Sequence, residues 1–186
     1  MPPSFFRPAN DDQASDYIAD IAKKFKHIPF YYYHFPNMTN VRINLQKTLE
    51  LAYKKSSNII GAKFSDIDLI DLSLSANSGF NILVGNDGLF LQALISGASG
   101  LIGVQNNFNG ELPVQIYKAF LKGEITMAQK LQIKSTIFMN LVRSKGALPA
   151  IAKLAVKKSR GIDLGGVRSP LSGIKEEEKE KSKNRK

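Results

Sequence analysis

Lys63 lies inside the short apolar run NIIGAKFS, and Tyr33 is the third tyrosine of an earlier run, FYYYHFP. A primary amine in an apolar wall is a candidate covalent nucleophile. Burial disfavours the ammonium form, so the free amine can attack a carbonyl carbon and form a Schiff base. A phenol within reach can then move protons. Taken singly, a strand lysine more often runs its stem along apolar surface and holds its ammonium in water. The chemistry therefore depends on what surrounds the amine. Tyr31 and Tyr32 read as packing residues, because aromatic side chains are ordinary strand formers. His34 alternates away from Tyr33 along a strand and reads as a structural or rim hydrogen-bonding residue rather than a catalyst.

Five short apolar runs are the strand candidates that would carry these groups: Ser4 to Phe6, Phe30 to His34, Asn58 to Phe64, Asn81 to Gly85 and Gly100 to Val104, each bounded by Pro, Gly or Asn. Amphipathic stretches lie between them. Ala14, Tyr17, Ile18, Ile21, Ala22 and Phe25 recur at helical spacing, as do Leu45, Leu49 and Ala52, then Leu69 and Leu72, then Leu89, Ala93 and Leu94. Strands separated by single helices point to parallel pairing through right-handed crossovers. Gly97 stands where a helix end is expected. Beyond Val104 the pattern is wholly helical, with one helix from Pro113 to Gly123, a second over Ile125 to Ser144 and a third over Leu148 to Lys158. From Lys175 onward the chain mixes Lys and Glu without an apolar face, which reads as a solvated or disordered tail.

The 186 residues are 43% hydrophobic and 23% charged, the composition and length of one globular domain. A formal charge of +10 favours anionic partners without choosing among a carboxylate substrate, nucleic acid and an acidic membrane surface. Cysteine is absent, which removes disulfides, thiol nucleophiles and thiolate metal ligands. The start MPPSFFRPANDD lacks a basic segment followed by an apolar one, so no secretory signal is expected. The longest apolar stretch, Leu89 to Val104, is too short and too rich in glycine to span a bilayer. A soluble, cytoplasmic protein without membrane contact is the expectation.

Together FYYYHFPNMTNVRI and GAKFSD, in this order and at this separation, resemble the pyruvate-dependent aldolases of the N-acetylneuraminate lyase and dihydrodipicolinate synthase family. The YYYH form, with KFSD at the lysine, looks most like the animal N-acetylneuraminate lyase branch. The resemblance implies an α/β fold made of the parallel (β/α) units of an incomplete TIM barrel, strands four to eight, plus C-terminal helices. PSFFRP matches the fourth strand, FYYYHFP the fifth, GAKFS the sixth, NILVGND the seventh and GLIGVQ the eighth, and GIDLGGVRSPL resembles the C-terminal signature. It covers about Pro2 to Leu171. The first three strands have no counterpart. The organisation expected is a partial barrel over 1–110, a helical extension of the same domain over 111–170 and a charged tail over 171–186.

In a barrel, side chains alternate between the interior and the surrounding helices. If Lys63 points inward, so do Gly61 and Ser65, while Ala62 and Phe64 face the helices. Tyr31 and Tyr33 share one face, and Tyr33 lies nearer the C-terminal mouth where barrel active sites lie. The resemblance implies that the Lys63 amine forms the Schiff base with a 2-keto acid, that Tyr33 relays the proton from the departing hydroxyl, and that Ser65, Gly85 and Asp87 contact substrate. A free phenol, with a pKa of about 10, is a weak base at neutral pH, so the relay draws on the substrate carboxylate and neighbours. Asp87 also reads as a turn residue of GNDG. The implied reaction cleaves N-acetylneuraminate to N-acetylmannosamine and pyruvate without a cofactor or metal, in a homotetramer.

Two positions depart from the family pattern. Gly88 follows Asp87 where a glutamate is usual, and Val104 stands where the eighth strand often offers a serine. Each change removes a polar partner for a sugar hydroxyl, at about 1–3 kcal/mol for a buried hydroxyl left unpaired. The second-strand Ser/Thr pair that clamps the pyruvyl carboxylate, and a tyrosine contributed across a subunit contact, map to nothing in the chain.

Other patterns carry less. The glycines of GASGLIG lack dinucleotide and P-loop spacing and mark a helix end and a strand entrance. His27 and His34 have no metal-ligand spacing to clustered acids, so no metal is expected. Lys153, Lys157 and Lys158 decorate a helix whose other face is Ile151, Leu154 and Ala155, so with Arg160 and Arg168 they read as a solvated face before a nucleic-acid surface. Three alternatives remain open: a non-catalytic half-barrel that binds a full-length homologue, a dihydrodipicolinate synthase or other 2-keto-3-deoxy acid aldolase, and a basic nucleic-acid binder.

Overall fold

Three of the apolar runs form β-strands where the sequence places them, at β1 (Phe30–His34), β2 (Ile59–Phe64) and β3 (Asn81–Val84), and a two-residue β4 (Gly100–Leu101) follows. The structure, a computed structural model, describes residues 1–174. The tail expected from residue 171 is described only over 171–174, which are neither helix nor strand; the rest lies outside the described residues. All strand pairs are parallel and the order is β1-β2-β3-β4. This is the parallel β/α architecture. The helices between consecutive strands are α2 (Pro36–Thr39) and α3 (Leu45–Lys55), then α4 (Leu69–Asn77), then α5 (Phe90–Ile95); α1 (Asp11–Ala22) precedes β1.

The chain divides into two compact units, Met1–Gly103 and a second from Val104 onward. In the first, one face of the sheet is dry. Ala62, Phe64, Ile82 and Val84 are fully buried there, with Tyr32 and His34 almost so. The other face carries Tyr33, Lys63 and Leu83, all half-buried. Period-two alternation sorts these residues, because successive strand side chains leave opposite faces. A β-bulge near the start of the β1–β2 pair, where Phe30 faces Ile59 but Tyr31 faces Gly61, sets the register of the rest.

The helices begin where short polar side chains satisfy orphan N–H groups. Asn10 accepts from the Gln13 N–H at 2.9 Å to start α1, and Asn44 accepts from the Lys47 N–H at 2.7 Å to start α3. Asp68 does the same for Ile70 and Asp71 in α4. Asp71 in turn accepts from the Leu45 N–H, so α4 secures the start of α3. Ahead of β2, the Asn58 side-chain amide donates to the carbonyls of Ala22, Phe25 and Ile28, closing the frayed end of α1. α1 buries Ala14, Ile18, Ala19 and Ala22 but leaves Tyr17 exposed, and Phe25, in the 3-10 turn after it, is exposed as well, so the apolar stripe is narrower and shorter than the sequence periodicity suggests.

Two strand expectations are corrected. Ser4–Phe6 is not a strand, and Phe5 and Phe6 are 90% and 93% exposed. Prolines at 2, 3 and 8 flank the run and remove backbone donors on both sides of it, and among the described residues the ladder of β1 is made with β2 and not with this run. The last strand ends at Leu101 rather than Val104, because Val104–Asn107 turns into a 3-10 helix.

The second unit is helical, with α6 (Glu111–Leu121), α7 (Ile125–Arg143) and α8 (Leu148–Arg160). α6 starts two residues before Pro113, which the first turn tolerates because its N–H groups have no intrahelical partner. Gly123 and Gly161 follow α6 and α8 with positive φ of 74° and 71°. The Ser135 hydroxyl of α7 donates to the Gln105 side-chain oxygen at 2.7 Å, a buried polar link within this unit.

Candidate active site

Lys63 is the penultimate residue of β2, directly paired with Tyr33 of β1. Burial of Ala62 and Phe64 on the opposite face fixes which way it points. Its amine nitrogen lies over the Tyr33 ring, 4.3 Å from the centroid. Among the described residues no carboxylate pairs with it. The aromatic face is what steers it.

On the other side of β2, Gly85 follows β3. A Cβ there would stand 2.9 Å from Lys63 Cε and collide with the Ser65 hydroxyl. The three residues therefore share one small volume, which stays open because position 85 has no side chain. The backbone holds them in place. The Ser65 N–H donates to the His34 carbonyl at 2.8 Å, and the Gly85 N–H to the Phe64 carbonyl at 2.7 Å.

At the sheet's far end of the same mouth, Asp87 is 2% exposed and opens a 3-10 turn, Asp87–Leu89. Its carboxylate occupies the space that a Gly103 side chain would need. The Asn86 side chain accepts from the Gly88 N–H at 3.1 Å and shapes this turn. The structure thus brings Tyr33, Lys63, Ser65 and Gly85 together, and shows Asp87 as a buried acid packed on Gly103.

His34 is on the dry face, 2% exposed and stacked on Phe64 at 5.5 Å. Burial lowers its pKa to about 4, and the nearby Asp66 and Asp68 charges oppose that only partly. Its Nδ1 is buried without a partner, and Nε2 is 4.0 Å from an Asp66 oxygen. The imidazole is neutral at physiological pH and turned away from Lys63. Tyr32 shares that face, where burial raises the pKa of its phenol. Tyr31 lies on the Lys63 face, with a ring carbon 3.0 Å from where a Gly61 Cβ would stand.

Two contributors escape the sequence reading. Phe35 stacks on Tyr33 with ring centroids 5.6 Å apart and planes 25° apart, and Gly103 makes room for Asp87. Alternation carried one residue past the strand would have put Phe35 on the face of Tyr33. Nothing local marks Gly103.

Away from this site, Lys153 donates to the carbonyls of Leu164 and Gly166, and Lys157 to the Asp163 carboxylate, so part of the basic helix is engaged within the chain. Among the described residues, no three His, Cys, Asp or Glu side chains cluster as a metal site, and no helix is long and apolar enough to cross a membrane.

Comparison with known proteins gives one consistent result. The dihydrodipicolinate synthetase family matches residues 1–185. N-acetylneuraminate lyase of Gallus gallus is 35% identical over 179 residues, covering 94% of this chain and 58% of the relative. The solved N-acetylneuraminate lyase (sialic acid aldolase) of Aliivibrio salmonicida superposes with a TM-score of 0.88 at 27% identity, over 97% of this chain and 60% of that one. A catalytic lysine mutant of the Ruminococcus gnavus sialic acid aldolase superposes with a TM-score of 0.83 at 25% identity, over 91% and 56%. The chain spans less than two thirds of the length of each of these proteins.

Proposed function

The chain belongs to the dihydrodipicolinate synthetase family, and on that premise we propose that it carries the covalent centre of an aldolase that cleaves N-acetylneuraminate, with Lys63 as the Schiff-base residue. The observation that carries this reading is the Lys63 amine lying over the Tyr33 ring, beside the space kept open by Gly85 and Ser65. The similarity to aldolases named for sialic acid, one of them a catalytic lysine mutant, supports it.

In this mechanism the unprotonated Lys63 amine adds to the ketone carbon of the substrate, and the carbinolamine takes up a proton and loses water to give an iminium, the proton being returned when the iminium is hydrolysed at the end of the cycle. The bond between the third and fourth substrate carbons then breaks. Its electrons flow into the iminium to form an enamine, while the hydroxyl on the fourth carbon gives up its proton and becomes the carbonyl of N-acetylmannosamine. Tyr33 relays that proton, assisted by the substrate carboxylate. Protonation of the enamine carbon and addition of water release pyruvate and restore the amine. Ser65 and Gly85 bound the keto-acid end of the pocket, and Asp87 holds the loop at its sugar end. No cofactor is required. The same reading places the chain in the cytoplasm as part of a homo-oligomer.

Incubation with pyruvate and borohydride tests the covalent step. A single reduced pyruvyl adduct mapped to Lys63, and absent in Lys63→Arg, is the expected result. An intact mass unchanged after reduction overturns the assignment.

A departure favours a sugar preference altered from the family's, toward acids with fewer hydroxyls. Gly88 offers no side-chain hydrogen bond where the family pattern has a glutamate, so fewer substrate hydroxyls find partners. Comparing cleavage of N-acetylneuraminate with that of shorter 2-keto-3-deoxy sugar acids measures this, and a marked preference for N-acetylneuraminate is evidence against it.

A further inference from the structure

We propose that Phe35 is a positioning residue that fixes the Tyr33 ring against the Lys63 side chain. This inference rests on the Schiff-base reading for its catalytic consequence but not for its structural content. Three observations carry it.

First, the contacts form a row. The Phe35 ring stacks on Tyr33 at a centroid distance of 5.6 Å and an interplanar angle of 25°, and the Tyr33 ring holds the Lys63 nitrogen at 4.3 Å. These distances lie within the ranges over which stacked rings attract each other and a ring face attracts an amine cation. Second, the backbone of Phe35 is clamped. Its carbonyl accepts from the Met38 N–H at 3.1 Å, the Thr39 N–H at 3.1 Å and the Thr39 hydroxyl at 3.0 Å. Thr39 is buried, and its hydroxyl also accepts from the Val41 N–H at 3.3 Å. Pro36, buried at the start of α2, fixes the next residue.

Third, neither residue flanking Tyr33 in the strand supports its ring. Tyr32 and His34 leave the opposite face of the sheet, so neither can brace the ring. A tyrosine has two side-chain torsions to lose, and a side chain free to turn about the first would carry its hydroxyl away from the reacting atoms. Phe35, anchored at the first turn after the strand, removes that freedom. It touches neither substrate nor amine in this reading and acts through Tyr33.

Ring currents offer a readout that needs no substrate. Protons above an aromatic face resonate upfield, so the ε-methylene signals of Lys63, identified by their absence in Lys63→Arg, should stand upfield of the other lysines in the full chain. Phe35→Ala and Phe35→Leu should move those signals back toward the other lysines, and Phe35→Tyr should retain the upfield position. With pyruvate and borohydride, adduct formation should slow about tenfold in the Ala and Leu variants and stay within about twofold in the Tyr variant. Unaltered Lys63 signals in Phe35→Leu, or an ordinary lysine position in the unsubstituted chain, overturn the proposal. If Phe35→Ala fails to fold, the Leu variant decides, since it keeps apolar bulk and lacks the ring. If the signal pattern holds but the unsubstituted chain forms no adduct, the Schiff-base reading fails and the positioning role stands.

Discussion

The side chain that Gly85 lacks would fall on the hydroxyl of Ser65. One hydrogen in place of a methyl keeps the volume beside Lys63 open, and the two residues come from different strands' ends. Gly85→Ala should therefore abolish or strongly slow pyruvate trapping on Lys63 while lowering stability by about 1–3 kcal/mol, the usual cost of overpacking. Urea unfolding and intact mass after reduction measure the two effects. Adding Ser65→Gly should recover part of both losses, because the nearest atom met by the new methyl is then gone.

Tyr33→Phe separates binding from bond cleavage. The ring remains to hold Lys63, so the adduct with pyruvate should still form. Cleavage of the full substrate should fall by roughly 10²- to 10⁴-fold, the range for loss of a positioned proton carrier. Equal losses in trapping and cleavage would place Tyr33 in scaffolding rather than proton transfer.

His34 gives the fold a pH dependence with a definite sign. Its folded pKa is about 4, against an ordinary histidine value of 6.5. Between those values the unfolded chain binds a proton that the folded chain excludes, so stability rises with pH across this window. The contribution is undiminished above pH 6.5 and is lost as pH falls toward 4. The full difference corresponds to about 3 kcal/mol. Urea unfolding at stepped pH should show this decline, and His34→Phe, which preserves the stack on Phe64, should flatten it.

Gly103→Ala should destabilise the first unit by about 1–3 kcal/mol, since the new methyl meets the buried Asp87 carboxylate. A double-mutant cycle with Asp87→Ala should reveal coupling of at least about 0.5 kcal/mol, with the pair less damaging than the sum of the single changes. Additive effects would separate the two positions.

Much of this arrangement is legible in the residues. The runs at 30–34, 59–64 and 81–84 are apolar, short and bounded by breakers, so their strands and parallel order follow from pattern alone. Alternation also brings Tyr33 and Lys63 to one face and sends His34 to the other. Ser4–Phe6 has the same local look, yet strand formation depends on a hydrogen-bonded neighbour, which composition does not reveal. The packing of Asp87 rests on the close approach of Gly103, sixteen positions later, which no local pattern reveals. Phe35 is hard to read from pattern because the following proline closes the strand, although its side chain continues the alternation.

The run from Tyr31 to Phe35 is a partition, partly open on its odd-numbered side and sealed on its even-numbered one. Mutational screens of this segment should consequently split in two. Changes at 33 and 35 should alter turnover in proteins that still accumulate normally in cells, whereas changes at 32 and 34 should chiefly alter how much folded protein survives to be assayed.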